Sequence, residues 1–325
     1  MIIKTYNYIQ SPQLQAYCYL MLYIIPVYFI YNIGLILTNS AKGLILGSMG
    51  VFIMSLESLF IKFTTISPFL FAFYIGIFMF ISMASTFLFK DFNYLKKAVK
   101  TSFPFLLICS FFMATSNIFF INAVKTTTVA NVVIIFSTSA LFSALIGYLL
   151  YKQKVTKNIF YASFFMFIGL FIIFNDKLEV GSIKGNIFAL LCTLFFSVSF
   201  VLLSRYKDMN RVVLTAFSGI LLTVIAYFFC EELAIDLKTL AIVMIMGLII
   251  SPISRVLLGT GAKYINASEV SLLMLIETIM APIWVWIFLA EVPSSYTFIG
   301  GFIIILTLII NSLYTLKQER KNLSF

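Results

Sequence analysis

Two stretches of sequence decide the fold: SNIFFINAVKTTTVAN at residues 116–131 and SRVLLGTGAKYINASE at 254–269. They align without a gap at a spacing of 138 residues. Ser116 falls on Ser254, Ala123-Val124-Lys125 on Gly261-Ala262-Lys263, and Val129-Ala130-Asn131 on Ala267-Ser268-Glu269. In both, an apolar run ends, a lysine marks a short turn, and a second apolar run begins. The pair Lys42-Gly43 recurs as Lys184-Gly185, again opening an apolar run. Self-similarity of this kind marks a chain built from two copies of one unit.

The material between these landmarks is apolar throughout. Of 325 residues, 62% are apolar and only 10% charged, whereas a soluble domain is about half apolar and about a quarter charged. Such a chain has too little polar surface to cover a water-soluble globule, which excludes a soluble enzyme, a nucleic-acid-binding domain and a disordered protein. Four separated cysteines and no histidine give no basis for a zinc site, a haem attachment or a disulfide framework, so no metal and no cofactor is expected. The chain reads as an integral membrane protein.

A helix needs roughly 20 mostly apolar residues to cross the hydrocarbon core. Such runs fall near 16–38, 43–62, 68–89, 103–121, 126–150, 158–175, 185–204, 211–230, 239–260, 267–290 and 296–316. They are apolar at both parities, unlike the alternating strands of a barrel. The expected fold class is therefore all-α integral membrane: a ten-helix bundle of two five-helix repeats, with 16–38 as an additional N-terminal helix. The divisions are an N-terminal segment 1–42, a first repeat 43–175, a second repeat 184–316 and a tail 317–325. Segment 16–38 is interrupted by Pro26 and lacks the basic start and cleavage site of a signal peptide.

Orientation follows from the basic residues. With the side preceding span 43–62 taken as inside, fifteen Lys and Arg fall inside, among them Lys42, Lys152, Arg211, Lys263 and Lys317. Five fall outside: Lys62, Lys125, Lys177, Lys184 and Lys238. This places the C-terminus in the cytoplasm of a multi-pass protein of the plasma or inner membrane, and it accounts for the net charge of +10 without a nucleic-acid partner. Because five spans per repeat is an odd number, the second copy enters from the opposite face. Lys125 then lies outside and its counterpart Lys263 inside. Inverted repeats are a feature of secondary transporters, whose substrate sits near the midplane between the halves. Paired membrane domains also occur in channels and scaffolds.

The five-span halves, and the stretch Leu275-Ile276-Glu277-Thr278-Ile279-Met280-Ala281-Pro282 leading to Leu289-Ala290-Glu291 and Gly300-Gly301, resemble the EamA-type transporters of the drug/metabolite transporter superfamily. The similarity covers about residues 43–316 and is better in the second half. The first half departs from it: Ala140 and Gln153 stand where the motif usually has Pro and Glu, and Gly169 alone represents the last-helix glycines. The resemblance implies ten spans, a cytoplasmic placement of both ends of the core, and movement of small organic solutes by alternating access. It names no particular solute.

An ionisable residue inside a span costs roughly 2.5–3.5 kcal/mol on insertion scales and faces the bundle interior. Glu277 lies ten residues into span 267–290, near the midplane, where a carboxylate in a chain without histidine is the natural proton carrier. Glu57 is the second candidate, with Lys62 or Lys125 as alternative ion-pair partners. Its counterpart in the second half is Ser199, and Ser139 places another hydroxyl near the middle of its span. Arg255 and Glu269 flank the turn at Ala262 by seven residues each, so they are expected to meet as a structural ion pair or an inner gate. Their counterparts Asn117 and Asn131 are expected to touch likewise. Glu291, two residues before Pro293, reads as a helix cap or loop anchor.

The expected activity is that of a secondary transporter, not an enzyme, moving a small organic metabolite or drug-like solute and coupled to protons. A homodimer in the lipid bilayer is compatible with this architecture. The alternatives are a channel, a non-transporting scaffold and, on weaker grounds, a membrane enzyme acting on lipid.

Overall fold

In the computed structural model, residues 39–85, 103–152, 157–175, 183–206, 209–265 and 267–323 are described. Segment 16–38 and Gln153 lie outside them. Among the described residues there is no strand; the elements are helices α1 (Asn39–Met54), α2 (Glu57–Lys62), α3 (Pro68–Ser85), α4 (Phe103–Thr126), α5 (Val129–Ser137), α6 (Ser139–Tyr151) and α7 (Lys157–Phe174). The second half holds α8 (Ile183–Arg205), α9 (Arg211–Tyr227), α10 (Leu237–Ile245), α11 (Ser251–Gly261), α12 (Ala267–Leu289) and α13 (Ser295–Leu323), with one π turn, Met246–Ile250, joining α10 to α11. Where α1 meets α2, α5 meets α6 and α10 meets α11, the pieces continue one another, so the segments form ten rods. The rods fall on the ten runs expected between 43 and 316.

Six rods are long and apolar enough to cross a membrane: Ala41–Lys62, Pro68–Ser85, Phe103–Thr126, Val129–Tyr151, Ile183–Leu203 and Leu237–Gly261. Four shorter apolar stretches, Phe160–Phe174, Arg211–Tyr227, Leu273–Leu289 and Ser295–Asn311, complete the set. Polarity is arranged inside out. Phe160, Phe164, Phe167 and Phe171 of α7 are more than half exposed, while Ser55, Ser110, Thr193 and Ser197 are fully buried. Water would not tolerate the first group so displayed, whereas hydrocarbon does. This is a multi-pass membrane protein.

Each break in a rod has a local cause. The Ser55 hydroxyl donates to the Phe52 carbonyl (2.6 Å), and Ser137 and Thr138 donate to the Ile134 and Ile135 carbonyls (2.7 and 2.6 Å). Such back-bonding competes with the ladder of main-chain bonds and bends a helix. At the π turn the cause is Pro252, which has no N–H for the carbonyl of Leu248. Ser82 of α3 supplies the missing donor, its hydroxyl 2.8 Å from that oxygen.

The strongest pairings cross the two halves: α8 packs on α4, α9 on α3, α11 on α1 and α13 on α7. Small residues permit this. A Cβ built on Gly76 would come 2.7 Å from the Gly219 carbonyl, and one on Gly219 would come 2.9 Å from that of Gly76. Gly169 and Gly300 oppose each other in the same way, at 2.8 and 2.7 Å. Close backbone approach through glycine is how membrane helices gain packing without a hydrophobic driving force.

The repeat spacing reappears in the backbone. Lys152 after α6 and Ala290 after α12, 138 residues apart, are the two non-glycine residues with positive φ among those described (51° and 55°). Gly43 packs on Tyr264 and Ile265, and its counterpart Gly185 packs on Thr126 and Thr127, again displaced by 138. The Lys125 ammonium donates to the Thr64 carbonyl and hydroxyl, just past the Lys62 end of α2. Gly261, by contrast, packs on Gly43 and Gly47 at the start of α1. Lys125 and Lys263 thus sit at opposite ends of a rod roughly 35 Å long.

Candidate functional site

The rods enclose a central cavity of about 400 Å³. Its deep wall is built by Met54 and Glu57 where α1 bends into α2, by Ser116 and Asn117 of α4, and by Glu277 of α12. Phe120, Phe136, Phe196 and Phe200 supply aromatic surface, and the cavity runs out past Gly259 and Ala262 to the exposed Lys263. The bends at Ser55 and Thr138 fall beside this space, and the second leaves Ser137 and Ser139 on its wall. A volume of this size, mostly apolar with a few convergent polar groups, suits a small organic molecule.

Arg255 is the centre of the polar wall. Its guanidinium reaches Glu57 (Nη1 to Oε1 2.5 Å, Nη2 to Oε2 3.5 Å) and donates to the Asn117 carbonyl oxygen at 2.6 Å. It also donates to the Ser251 main-chain oxygen at 3.3 Å. Ser254 adds a long contact to Glu57, 3.5 Å. Residues 117 and 255 are repeat counterparts, so two equivalent positions touch each other across the middle of the molecule. The other acid on the wall is differently placed. Glu277 is 3% exposed, and its Oε2 is buried without a hydrogen-bond partner.

Glu277, Glu57, Ser139, Ser199, Arg255 and Asn117 all line the cavity; Ser199 directs its hydroxyl to the Cys109 carbonyl at 3.3 Å. Asn131 does not line it. The expected contact between Asn117 and Asn131 is absent: Asn117 is held by Arg255, and Asn131 lies in a separate polar layer at the Lys62 end. The reason is that cross-half packing outranks hairpin adjacency, as it does for Arg255, whose carboxylate partner lies 198 residues away. The side chain of Glu269 is outside the described residues. Neither alternative partner for Glu57 applies, because Lys62 pairs with Glu291 and Lys125 with Thr64.

That separate layer was not visible in the sequence as a unit. Asn131 binds Asn186 (3.3 Å) and accepts from the Thr297 hydroxyl, and Asn186 also bonds Thr127 (3.1 Å). Beside it, Lys62 bridges Glu291 (2.9 Å) and the Thr127 carbonyl (3.0 Å). The other oxygen of Glu291 accepts from the Val129 N–H at 2.7 Å, capping the start of α5 from across the molecule. None of these side chains lines the cavity.

Among the described residues, no group of three or more His, Cys, Asp or Glu is arranged to hold a metal ion. Comparison with known proteins bears on the scaffold. An uncharacterized transporter from Archaeoglobus fulgidus is 24% identical over 192 residues, covering 58% of this chain and 61% of that relative, so the match spans less than two thirds of the relative's length. A solved crystal structure that is 13% identical matches the fold with a TM-score of 0.64, over 86% of this chain and 99% of its own. The profile of the EamA-like transporter family matches twice in succession, over residues 41–175 and 183–313. With two copies of that unit covering the ten rods and every wall of the cavity, the chain belongs to the EamA-like transporters of the drug/metabolite transporter superfamily.

Proposed function

We propose that the chain carries a small organic solute through the central cavity by alternating access between two oppositely inserted halves, with Glu277 coupling the movement to protons. The observation that carries the reading is the cavity itself: charged and hydroxyl groups gathered at mid-depth among apolar rods, reaching exposed Lys263 at one end. Three features favour inverted halves. Lys125 and Lys263 lie at opposite ends of the α1–α2 rod; the cross-half pairs exchange with one another when the repeats are swapped; and counterparts Asn117 and Arg255 meet in the centre.

The excess of basic residues on the Lys263 side makes it the cytoplasmic one, with the C-terminus there and the protein in the plasma or inner membrane. On that assignment the cavity faces the cytoplasm, and the layer of Asn131, Asn186, Thr297, Lys62 and Glu291 closes the outer end. Turning outward requires those contacts to part while the Lys263 end closes. Glu57 is engaged by Arg255, so its charge is fixed by its partner. Glu277 has an oxygen without one, and its protonation state is free to follow the side to which the cavity opens.

Transport by purified protein in liposomes tests this. Saturable uptake that responds to an imposed pH gradient and supports exchange is expected, and Glu277→Gln should keep exchange while losing at least tenfold of the gradient-driven component. Unsaturable conductance would replace the carrier with a channel. Wild-type pH dependence in Glu277→Gln would remove Glu277 from the coupling.

A further inference from the structure

The cavity wall holds more positive than negative charge. Arg211, Arg255 and Lys263 line it against Glu57 and Glu277, and Arg255 is already neutralised by Glu57. Arg211 is the first residue of α9. The start of that helix is satisfied without it, because the Asn210 carbonyl oxygen accepts from the N–H groups of Val212 and Val213 at 3.0 and 3.3 Å. The side chain instead lies across Gly259 of α11, where an added Cβ would come within 3.3 Å of the Arg211 Cγ.

Its head group is unmatched. Nε and Nη1 of Arg211 are shut off from solvent and have no hydrogen-bond partner, and neither salt bridge among the described residues involves it. Buried N–H groups on a cation are costly when left without an acceptor. The same cavity contains a second unmatched group, the Oε2 of Glu277. Between them stand four phenylalanine rings, Phe120, Phe136, Phe196 and Phe200.

Resting on the reading of this cavity as the solute site, we infer that Arg211 receives an oxyanion of the transported molecule, a carboxylate or phosphate carried on an apolar, ring-sized body. The planar guanidinium fork matches either head group with paired hydrogen bonds. The aromatic walls take the body. Arg211 is then a specificity-determining residue: it sets the charge of what enters, while Glu277 responds to protons.

Four probes that share one ring separate head groups: benzoate, phenyl phosphate, benzylamine and benzyl alcohol. Binding to the full chain in detergent is read by thermal stabilisation across a concentration series. At least one of the two anions is expected to bind about ten- to a hundredfold more tightly than the amine or the alcohol, the size of one charge-assisted hydrogen-bonded contact. Which anion wins names the head group. Arg211→Gln should abolish that preference, and Arg211→Lys should keep part of it. Because Arg211→Gln removes a cation without a partner, its melting temperature without probe should not fall.

Equal binding of all four probes, preference for benzylamine, or undiminished anion binding in Arg211→Gln would overturn the inference. The probe series on the unmodified chain decides the charge preference even if a variant fails to fold. Saturable flux in liposomes is a separate readout, so loss of the anion preference with carrier flux intact removes the anion site alone.

Discussion

Arg255 and Glu57 form a buried ion pair, 2.5 Å apart at the closest atoms, and its consequences are asymmetric. Removing one partner leaves an uncompensated charge away from water, which costs about 3–5 kcal/mol, whereas replacing both with apolar groups of similar size is often neutral. Glu57→Gln and Arg255→Met are each expected to lower the unfolding free energy of the detergent-solubilised protein by about that amount. The double variant should recover most of the loss. Additive losses would mean that the two side chains are not energetically coupled. The sequence marked both residues as charges at membrane depth, but it matched Arg255 to Glu269 across the nearest turn, because adjacency along the chain is what periodicity can see. Glu57 is brought in by packing of α11 on α1, a contact between halves. Arg211 was counted only among the basic residues of the inner side, since charge counts say nothing of where a guanidinium points. Glu277, Ser139 and Ser199 were legible for the opposite reason: a polar residue in an apolar run has few places to go but inward.

At the level of elements, the ten rods were readable from length and composition alone, because a span must hold about 20 apolar residues whatever it packs against. Their breaks were not. The bends at Ser55 and Thr138 depend on which carbonyl a hydroxyl chooses, and the π turn depends on Ser82 answering Pro252 from another helix. Ser82→Ala is expected to leave the Leu248 carbonyl without a donor and to cost about 1–2 kcal/mol in thermal or denaturant unfolding. Wild-type stability in that variant would show that the π turn is held by other means. The glycine crossings give a sharper expectation. Gly219→Ala would set a Cβ against the Gly76 carbonyl and the Phe80 main chain at 2.9–3.0 Å, where backbone and not a flexible tip must move. Overpacking of this kind costs about 1–3 kcal/mol, and an unchanged melting temperature would contradict the closeness of α3 and α9.

The whole molecule combines two family units around one cavity, and its functional reading depends on how those units are inserted. The gap-free repeat at 138 residues, with an odd number of spans in each copy, pointed to opposite insertion before any contact was known. The contacts of Gly43 and Gly185, with equivalent neighbours, follow the same symmetry. What the sequence withheld was the asymmetry between the two ends. Asn131, Asn186, Thr297, Lys62 and Glu291 come from four different rods, so no local pattern joins them into the layer that closes one end. Glu291→Gln should loosen that end, raising modification of a cysteine placed at residue 128 several-fold without unfolding the protein. No change in labelling would deny the layer its role in closure.

The central claim, opposite insertion of the two halves, is tested most directly by single cysteines at Thr65, beside the Lys125 contact, and at Lys263, both exposed positions. They would be placed in a background from which the four native cysteines have been removed and probed in intact cells with a membrane-impermeant maleimide. A cysteine at 65 should react from outside the cell, and one at 263 only after the membrane is opened. Reaction of both from the same side would contradict the inverted architecture and the alternating-access mechanism built on it.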